Sequence, residues 1–227
     1  MNIAIIPARI GSQRLVKKNI KSFFGKPIIS YAILQAKKSK IFDKILVSTD
    51  SIRIKKIAES YGAEAPYLRP KNLSNNKIHF NHPIKHMIRW LEKNEINVNN
   101  VCCIYPTSPL LSSTFLIKGY KLLKKNKNFV FSACKYRSSP QRSFFFKNKQ
   151  LCLFDKKSYY KRSQDLTDIY HDAGQFYWGT KDNWLKDDKI FFKKSAIIEV
   201  PYLDFIDINY PSDWKIAENL FKLKYKN

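Results

Sequence analysis

Four basic side chains follow the first apolar segment of the chain, Asn2–Pro7. They are Arg9, Arg14, Lys17 and Lys18, and Gly11 and Ser12 lie among them. Arginine can bind a phosphate through two parallel hydrogen bonds and lysine offers a point charge, while glycine lets backbone N–H groups turn toward an anion. Open α/β sheets bind ligands in loops of this kind, at the carboxyl ends of their strands. The sequence therefore predicts a phosphate-binding loop directly after the first strand.

Apolar β-type segments alternate along the chain with longer segments of helical period. Strands are predicted at Asn2–Pro7, Lys44–Ser48, Val101–Tyr105, Phe129–Cys134 and Ala196–Pro201, and helices near Pro27–Lys37, Ser51–Tyr61, Pro83–Glu92, Ser113–Lys124 and Pro211–Leu223. Strands that are joined through helices lie parallel, and a proline is harmless in the first turn of a helix. We therefore expect an α/β protein with a mostly parallel sheet and a single domain over residues 1–227.

The alternation stops between Lys135 and Asp172. Ser143–Phe146 and Leu151–Phe154 flank a polar turn, which is typical of a β-hairpin. Three consecutive exposed phenylalanines would be an aggregation risk, so burial against a second subunit is one reading and packing on the chain's own domain is the other. We expect a protruding arm over residues 135–172 and a homodimer.

The composition is strongly basic, with 42 Lys and Arg against 18 Asp and Glu, a formal net charge of +24. Such an excess can mark a phosphate-rich partner, but the lysines are scattered, which also fits compositional drift. A nucleic-acid-binding module, with Phe144–Phe146 and Tyr159–Tyr160 as stacking platforms, is the alternative from another class. No apolar run approaches the ~20 residues of a membrane span. We expect a cytoplasmic protein with reduced cysteines and with neither a membrane nor nucleic acid as partner.

Five segments together resemble the sialic-acid-type cytidylyltransferases, which are the CMP-nonulosonate synthetases. They are Ile3–Arg9 with Ser12 and Lys17–Asn19, then Asp43–Asp50, Leu68–Pro70, Tyr105–Pro109 and Asp204–Asn209. They occur in the family's order and rough spacing, so that the resemblance covers essentially the whole chain. Within the family, Lys161–Leu166 and Tyr170–Trp178 are most similar to the members that act on pseudaminic acid.

The resemblance implies a Mg²⁺-dependent reaction of CTP with a nine-carbon 2-keto sugar acid, giving a CMP-sugar and pyrophosphate. It also implies a three-layer, Rossmann-like fold of the nucleotide-diphospho-sugar transferase type, with a mixed sheet. The alternatives in the same class are N-acetylneuraminic, legionaminic and 3-deoxy-octulosonic acid as acceptors, or a degenerate member that binds nucleotide without catalysis. Nucleotidyl transfer is chiefly positioning and charge stabilisation, so a site of cations and a metal suits it.

Residue roles follow from the positions that match the family. The predicted catalytic residues are Arg9 and Lys18. The nucleotide is predicted to bind to Ala8, Ser12, Arg14, Asn19, Arg69 and Ser74. The sugar is predicted to bind to Tyr105, Thr107, Arg162, Gln164, Asp172, Gln175 and Tyr177, and the Mg²⁺ to Asp207 and Asn209. Asp207 and Asn209 would share one face of a strand. Three positions have structural alternatives: Arg69 as a surface turn residue, Asn209 as a helix N-cap, and Gln175–Trp178 as a core strand.

The opening loop also differs from the family's common pattern. Ile10 stands where a second glycine is common, Gln13 where lysine often occurs and Val16 where proline is usual. Arg14 is the predicted replacement for the missing cation at Gln13. A zinc site of His79, His82 and His86 is a separate alternative, because these residues are spaced three and four apart.

Overall fold

The computed structural model describes residues 1–12, 14–75, 78–125, 127–186, 190–191 and 194–225. Its strands are β1 (Asn2–Pro7), β2 (Ser22–Phe23), β3 (Lys26–Pro27), β4 (Lys44–Ser48), β5 (Asn100–Ile104), β6 (Phe129–Lys135), β7 (Phe144–Lys147), β8 (Gln150–Leu153), β9 (Tyr170–Thr180) and β10 (Ala196–Glu199). Its helices are α1 (Ile29–Ser39), α2 (Ile52–Ser60), α3 (Asn81–Lys93), α4 (Ser113–Leu123), α5 (Lys181–Lys186) and α6 (Pro211–Tyr225).

A central sheet of six strands runs in the order β10, β6, β9, β5, β1, β4. β1 pairs in parallel with β4 and β5, and β10 with β6, whereas β9 is antiparallel to both β5 and β6. The residues Ile3 to Ile6 of β1 are fully buried, as expected for a strand covered by helices on both faces. The predicted mixed, mostly parallel α/β sheet is thus confirmed.

Helices cover both faces of the sheet. One apolar cluster joins α1, α2 and α4 to one face, and its members include Ile33, Ala58 and Leu116. A second cluster joins α3 and α5 to the other face through Met87 and Trp184. The predicted three-layer arrangement follows from these two cores.

A third, smaller cluster attaches α6 to the start of α1. Phe23 is fully buried there, and its ring contacts the rings of Trp214 and Phe221 at centroid distances of 5.4 and 5.3 Å. Ile208 belongs to the same cluster. This packing brings the segment before α6 back to the start of the chain.

The sequence prediction was wrong in two details of the fold. The first helix begins at Ile29, because Pro27 pairs in the short β2–β3 ladder instead of opening the helix. The central antiparallel strand β9 was expected only as a possible core strand at Gln175–Trp178, yet it extends over Tyr170–Thr180. Its alternation shows a strand but not the direction in which that strand pairs.

The predicted hairpin arm is present. β6 ends and β9 begins at the paired residues Lys135 and Tyr170, so the intervening chain leaves the sheet. β7 and β8 pair only with each other, through a turn in which Asn148 and Lys149 have positive φ angles of 50° and 63°. Phe144 and Phe146 are 61 and 71% exposed.

No helix among the described residues is long and apolar enough to cross a membrane.

Candidate functional site

A cavity of about 260 Å³ opens where β1 and β5 end. Four cationic side chains line it: Arg9, Arg14, Lys18 and Arg69. Predicted site residues that also line it are Ser12, Asn19, Tyr105, Thr107 and Asn209. The structure therefore brings residues from both ends of the chain together around one positively charged space.

Two side chains hold the backbone of the loop after β1 through hydrogen bonds. The Asn19 side chain donates a hydrogen bond of 2.8 Å to the carbonyl of Arg9, and the N–H of Ile10 donates one of 2.9 Å to the carboxylate of Asp50. The Asn19 amide donor, which we expected to contact nucleotide, is thus used within the loop. The left-handed residue of the loop is Lys17, with φ 52° and ψ 33°, and not Gly11. Gln13 lies outside the described residues.

Lys18 connects this loop to the segment before α6. It begins a short 3-10 helix, Lys18–Ile20, and its ammonium group donates a hydrogen bond to the carbonyl of Ile208. Burial lowers the pKa of Lys18, the positive charges of Arg14 and Arg9 lower it further, and Asp207 opposes both effects. Lys18 therefore lies where bound negative charge would be strongly favoured.

Arg69 reaches the cavity from the segment that follows α2. Its backbone N–H donates to the carbonyl of Thr49 at 2.6 Å, and its Nε donates to the hydroxyl of Ser74 at 3.1 Å. Arg69 is only 4% exposed, so the alternative of a surface turn arginine is wrong. Burial lowers the pKa of the guanidinium, and the nearby carboxylate of Asp50 opposes this. Ser74 thus orients Arg69. Ala8, in the loop after β1, is fully buried, and its N–H donates to the carbonyl of Ser48 at 2.9 Å.

Asp207 and Asn209 lie in an irregular segment between the short 3-10 helix Tyr202–Asp204 and α6, not in the strand that we expected. Their side chains nonetheless meet, because Asn209 Nδ2 donates to Asp207 Oδ2 at 2.6 Å. The carboxylate of Asp213 accepts the N–H groups of Asn209 and Tyr210 at 2.8 and 2.7 Å. The carboxylate at this helix start is therefore Asp213, while the Asn209 side chain faces Asp207.

An aromatic cluster adjoins the cavity on the side of β9. The Tyr105 ring lies 5.4 Å from that of Tyr177 and 5.6 Å from that of Phe80. The Tyr177 hydroxyl donates to the carboxylate of Asp172 at 2.5 Å, and burial raises the pKa of both phenols. Burial also raises the pKa of Asp172, although the hydrogen bonds from Tyr177 and Gly174 oppose it. Tyr105, Tyr177 and Asp172 are thus coupled polar groups beside the cationic loop.

Five predicted sugar-binding residues do not line this cavity. Two of them, Asp172 and Tyr177, belong to the adjoining aromatic cluster. Arg162 pairs with Asp165 at 3.0 Å on the arm, and Gln164 lines a second cavity at the base of the arm. Gln175 is 2% exposed, and its Nε2 donates to the carbonyl of Asp204 at 2.7 Å. Gln175 is therefore a core residue of β9, in agreement with the structural alternative for this segment.

Sequence reasoning missed two residues of the site. Asp50 accepts the hydrogen bond of Ile10 and lies near Arg69, and its position directly after a predicted strand was the available signal. Phe80 lines the cavity and packs on Tyr177 at 5.0 Å, but nothing in its surrounding sequence indicated this.

The histidines of the proposed zinc site have other neighbours. His86 Nδ1 lies 2.8 Å from the Tyr67 hydroxyl, and His79 Nδ1 lies 2.8 Å from the Asn81 side chain. Among the described residues, no group of three or more His, Cys, Asp or Glu side chains could hold a metal ion. Zinc is therefore not supported, and a metal here would need ligands from outside the protein.

The four cysteines are free, three of them buried.

Comparison with solved structures agrees with this fold. The chain superimposes with a TM-score of 0.72 and 13% identity on a CMP:2-keto-3-deoxy-manno-octonic acid synthetase complexed with CTP, covering 98% of this chain and 99% of the other. It superimposes on the 4-diphosphocytidyl-2C-methyl-D-erythritol synthase of Anaerococcus prevotii DSM 20548 with a TM-score of 0.67 and 16% identity, covering 97 and 98% of the chains. At these identities the likeness shows a shared fold.

Sequence comparison is more specific. The chain is 40% identical, over 100% of its length and 98% of the relative, to a pseudaminic acid cytidylyltransferase of Campylobacter jejuni subsp. jejuni serotype O:23/36 (strain 81-176). It is 30% identical to an N-acylneuraminate cytidylyltransferase of Escherichia coli O18:K1:H7 (strain RS218 / NMEC), over 95% of this chain and 51% of the relative. Residues 3–214 match the family model described as cytidylyltransferase. The chain therefore belongs to the cytidylyltransferase family.

Proposed function

We propose that this chain transfers CMP from CTP to the anomeric hydroxyl of pseudaminic acid, a nine-carbon 2-keto sugar acid, and releases pyrophosphate. The observation that carries the proposal is the convergence of Arg9, Arg14, Lys18 and Arg69 on one cavity at the ends of β1 and β5. Four cations in a half-buried space suit a triphosphate, and the full-length identity to a pseudaminic acid cytidylyltransferase supports the choice of acceptor.

In the proposed reaction the sugar hydroxyl attacks the α-phosphorus in line, the bond from that phosphorus to the bridging oxygen breaks, and pyrophosphate leaves. Arg9 and Lys18 stabilise the negative charge that grows on the phosphate oxygens. The backbone of Ala8 and Ser12 contacts the nucleotide, and Arg14, whose guanidinium lies over the Tyr210 ring at 5.4 Å, contacts the phosphates from the rim. Tyr105, Thr107 and Asp172 contact the sugar, while Tyr177, which is 1% exposed, holds the Asp172 carboxylate instead of contacting the substrate.

We further propose that Asp207 and Asn209 hold Mg²⁺ against the phosphates. The donor types fit this ion, because Asp207 supplies a carboxylate and Asn209 an amide oxygen, and the hydrogen bond of 2.6 Å from the Asn209 Nδ2 to Asp207 keeps the two side chains together. Mg²⁺ commonly uses one or two carboxylates and takes its other ligands from water and substrate phosphates. Bound there, the ion would neutralise phosphate charge and orient the triphosphate.

Arg162 and Gln164 require a second subunit to act on the sugar. Both lie on the arm, away from the cationic cavity of their own chain. We propose a homodimer in which the exposed phenylalanines of β7 are covered by the partner, and in which the arm brings Arg162 to the partner's site as the acceptor's carboxylate ligand.

The test is pyrophosphate release from CTP with four acceptors: pseudaminic, N-acetylneuraminic, legionaminic and 3-deoxy-octulosonic acid, each with and without Mg²⁺. We expect turnover with pseudaminic acid that depends on Mg²⁺, and a CMP-sugar of the matching mass. CTP binding without turnover of any acceptor would instead identify a degenerate nucleotide binder. Salt-sensitive RNA or DNA binding without turnover would identify a nucleic-acid-binding module.

A further inference from the structure

β9 has a large bulge beside the candidate sugar site. Phe131 of β6 faces Tyr177, and Ala133 faces Asp172. Between these two pairs β6 has Ser132 alone, whereas β9 has the four residues Ala173–Phe176. On the other side of β9 the pairing with β5 continues through Ile104 and Phe176. The extra residues therefore interrupt the ladder with β6, where their N–H groups need other acceptors.

Ser132 supplies that acceptor. Its side-chain oxygen accepts hydrogen bonds from the N–H of Gln175 at 3.1 Å and from the N–H of Phe176 at 3.3 Å. Ser132 is fully buried, so water cannot replace it. Buried N–H groups left without an acceptor cost free energy, so the bulge depends on this one hydroxyl.

The bulge in turn sets the polar groups of the candidate sugar site. Gly174 adopts φ 59°, and its N–H donates to the Asp172 carboxylate at 2.8 Å. The Tyr105 ring lies 3.9 Å from the point where a Cβ on Gly174 would be, and the Tyr105 N–H donates to the carbonyl of Gln175 at 2.9 Å. The bulged backbone thus positions both the Asp172 carboxylate and the Tyr105 side chain.

We propose that Ser132 is a positioning residue for the acceptor sugar: by filling the bulge of β9 it holds Asp172 and Tyr105 in the arrangement that binds the sugar. Ser132 acts through the backbone and does not touch the substrate. This inference rests on the proposed function. The nucleotide side of the site is built on β1, β4 and the segment before α6, none of which Ser132 contacts through these hydrogen bonds.

The test is Ser132→Ala, with Ser30→Ala as the matched control. Ser30 is also a fully buried serine, and its hydroxyl has no hydrogen-bond partner among the described residues. For Ser132→Ala we expect the KM for pseudaminic acid to rise about tenfold, the equivalent of one or two hydrogen bonds, and the Kd for CTP to stay within about twofold. Amide exchange of the segment 172–176 should be faster in this variant without any substrate. Ser30→Ala should leave all three quantities unchanged.

Ser132→Cys keeps the shape of the side chain but is a weaker acceptor, so its sugar KM should lie between wild type and Ser132→Ala. If Ser132→Ala does not fold, the sugar KM of Ser132→Cys tests the inference in its place. An unchanged sugar KM in both variants, or a parallel loss of CTP and sugar binding, would overturn the inference. If the wild type used none of the acceptors, the proposed function would be refuted instead. The wild-type assay therefore tests the proposed function independently of the Ser132 variants.

Discussion

Lys18 is the residue at which the two ends of the chain meet. It belongs to the loop after β1, yet its ammonium group donates to the carbonyl of Ile208. Its charged neighbours are the cations Arg9 and Arg14 and the carboxylates Asp207 and Asp213, and Arg69 lines the same cavity. The same placement that favours a bound triphosphate leaves an unfavourable concentration of positive charge in the empty site, a common compromise between stability and function.

We expect Lys18→Met to lower kcat by about 10²-fold or more, because one charged donor to the transition state is lost. Steady-state pyrophosphate release measures this. Lys17→Met is the matched control, since Lys17 is the adjacent, exposed lysine and should retain activity within a few-fold. Equal losses in the two variants would mean that general loop charge, and not the position of Lys18, matters.

The lowered pKa of Lys18 also predicts a pH dependence of stability. Between the folded-state pKa and the higher unfolded-state pKa, the unfolded chain binds more protons, so Lys18 makes stability rise with pH across that window. Lys18→Met lacks this dependence. Its stability relative to wild type should therefore be greatest at neutral pH and decline toward about pH 10. Urea unfolding without CTP measures the difference, and a difference that is constant with pH would contradict the assignment.

The metal proposal is tested by changing the ligand charge. Asn209→Asp adds a second carboxylate beside Asp207 and should lower the Mg²⁺ concentration for half-maximal turnover several-fold, whereas Asp207→Asn should abolish Mg²⁺-dependent turnover. Mg²⁺ titrations of CTP turnover measure both. Glu64→Gln is the control, because Glu64 pairs with Lys44 away from the cavity. If Asp207→Asn kept the wild-type Mg²⁺ response, the metal would bind elsewhere.

At the scale of elements, the packing of α4 on β9 places the strand that carries Asp172 and Tyr177. Gly119 of α4 faces Trp178 and Phe176, and a Cβ there would lie 2.8 and 2.9 Å from their rings. The Trp178 indole also donates to the carbonyl of Leu116 at 3.1 Å. Only glycine allows α4 to approach β9 this closely.

Gly119→Ala should destabilise the protein. Overpacking a core costs about 1–3 kcal/mol, and the better helix propensity of alanine returns about 1 kcal/mol, so we expect a net loss of about 1 kcal/mol in the free energy of unfolding. Urea unfolding measures it. Gly11→Ala is the control, because nothing lies within 4 Å of its Cβ position, and it should change stability by less than about 0.5 kcal/mol. Equal stabilities would show that α4 shifts at no cost.

At the scale of the whole molecule, the arm is the feature that the single chain leaves unexplained. Its phenylalanines are exposed, and Arg162 pairs with Asp165 on the arm itself. The cationic cavity, by contrast, already contains the groups proposed for the triphosphate. A dimer would join the two by placing the arm of one chain beside the cavity of the other.

Mixing two inactive variants tests this arrangement. In a homodimer with shared sites, Lys18→Met and Arg162→Ala each inactivate every site, whereas a mixed dimer contains one intact site. After exchange of subunits, half of the dimers are mixed, so about a quarter of wild-type activity should return. Light scattering should report a dimer for wild type and a monomer for Phe146→Glu, which places a charge at the covered face. A monomeric, active wild type would refute the proposal.

Much of the fold could be predicted from the sequence because its signals are local. The predicted strands at Asn2–Pro7 and Lys44–Ser48 have the observed bounds, since a run of apolar β-branched residues flanked by polar ones specifies a buried strand. The helix predicted from Pro27 begins instead at Ile29, because pairing with β2 took precedence over the helical preference of proline at a first turn.

The cationic loop after β1 was predictable from the sequence for the same reason: a strand, a turn and several cations are adjacent in the chain, and their adjacency is visible without the fold. The tertiary structure alone decided that Lys18 meets Ile208, that Asn209 faces Asp207 outside any strand, and that β9 runs antiparallel with Ser132 filling its bulge. The contacts of Lys18 and Ser132 join residues far apart in sequence, and Asn209 meets Asp207 in an irregular segment beside the packed α6. Strand register and direction set the Ser132 contact, and a period of two residues specifies neither.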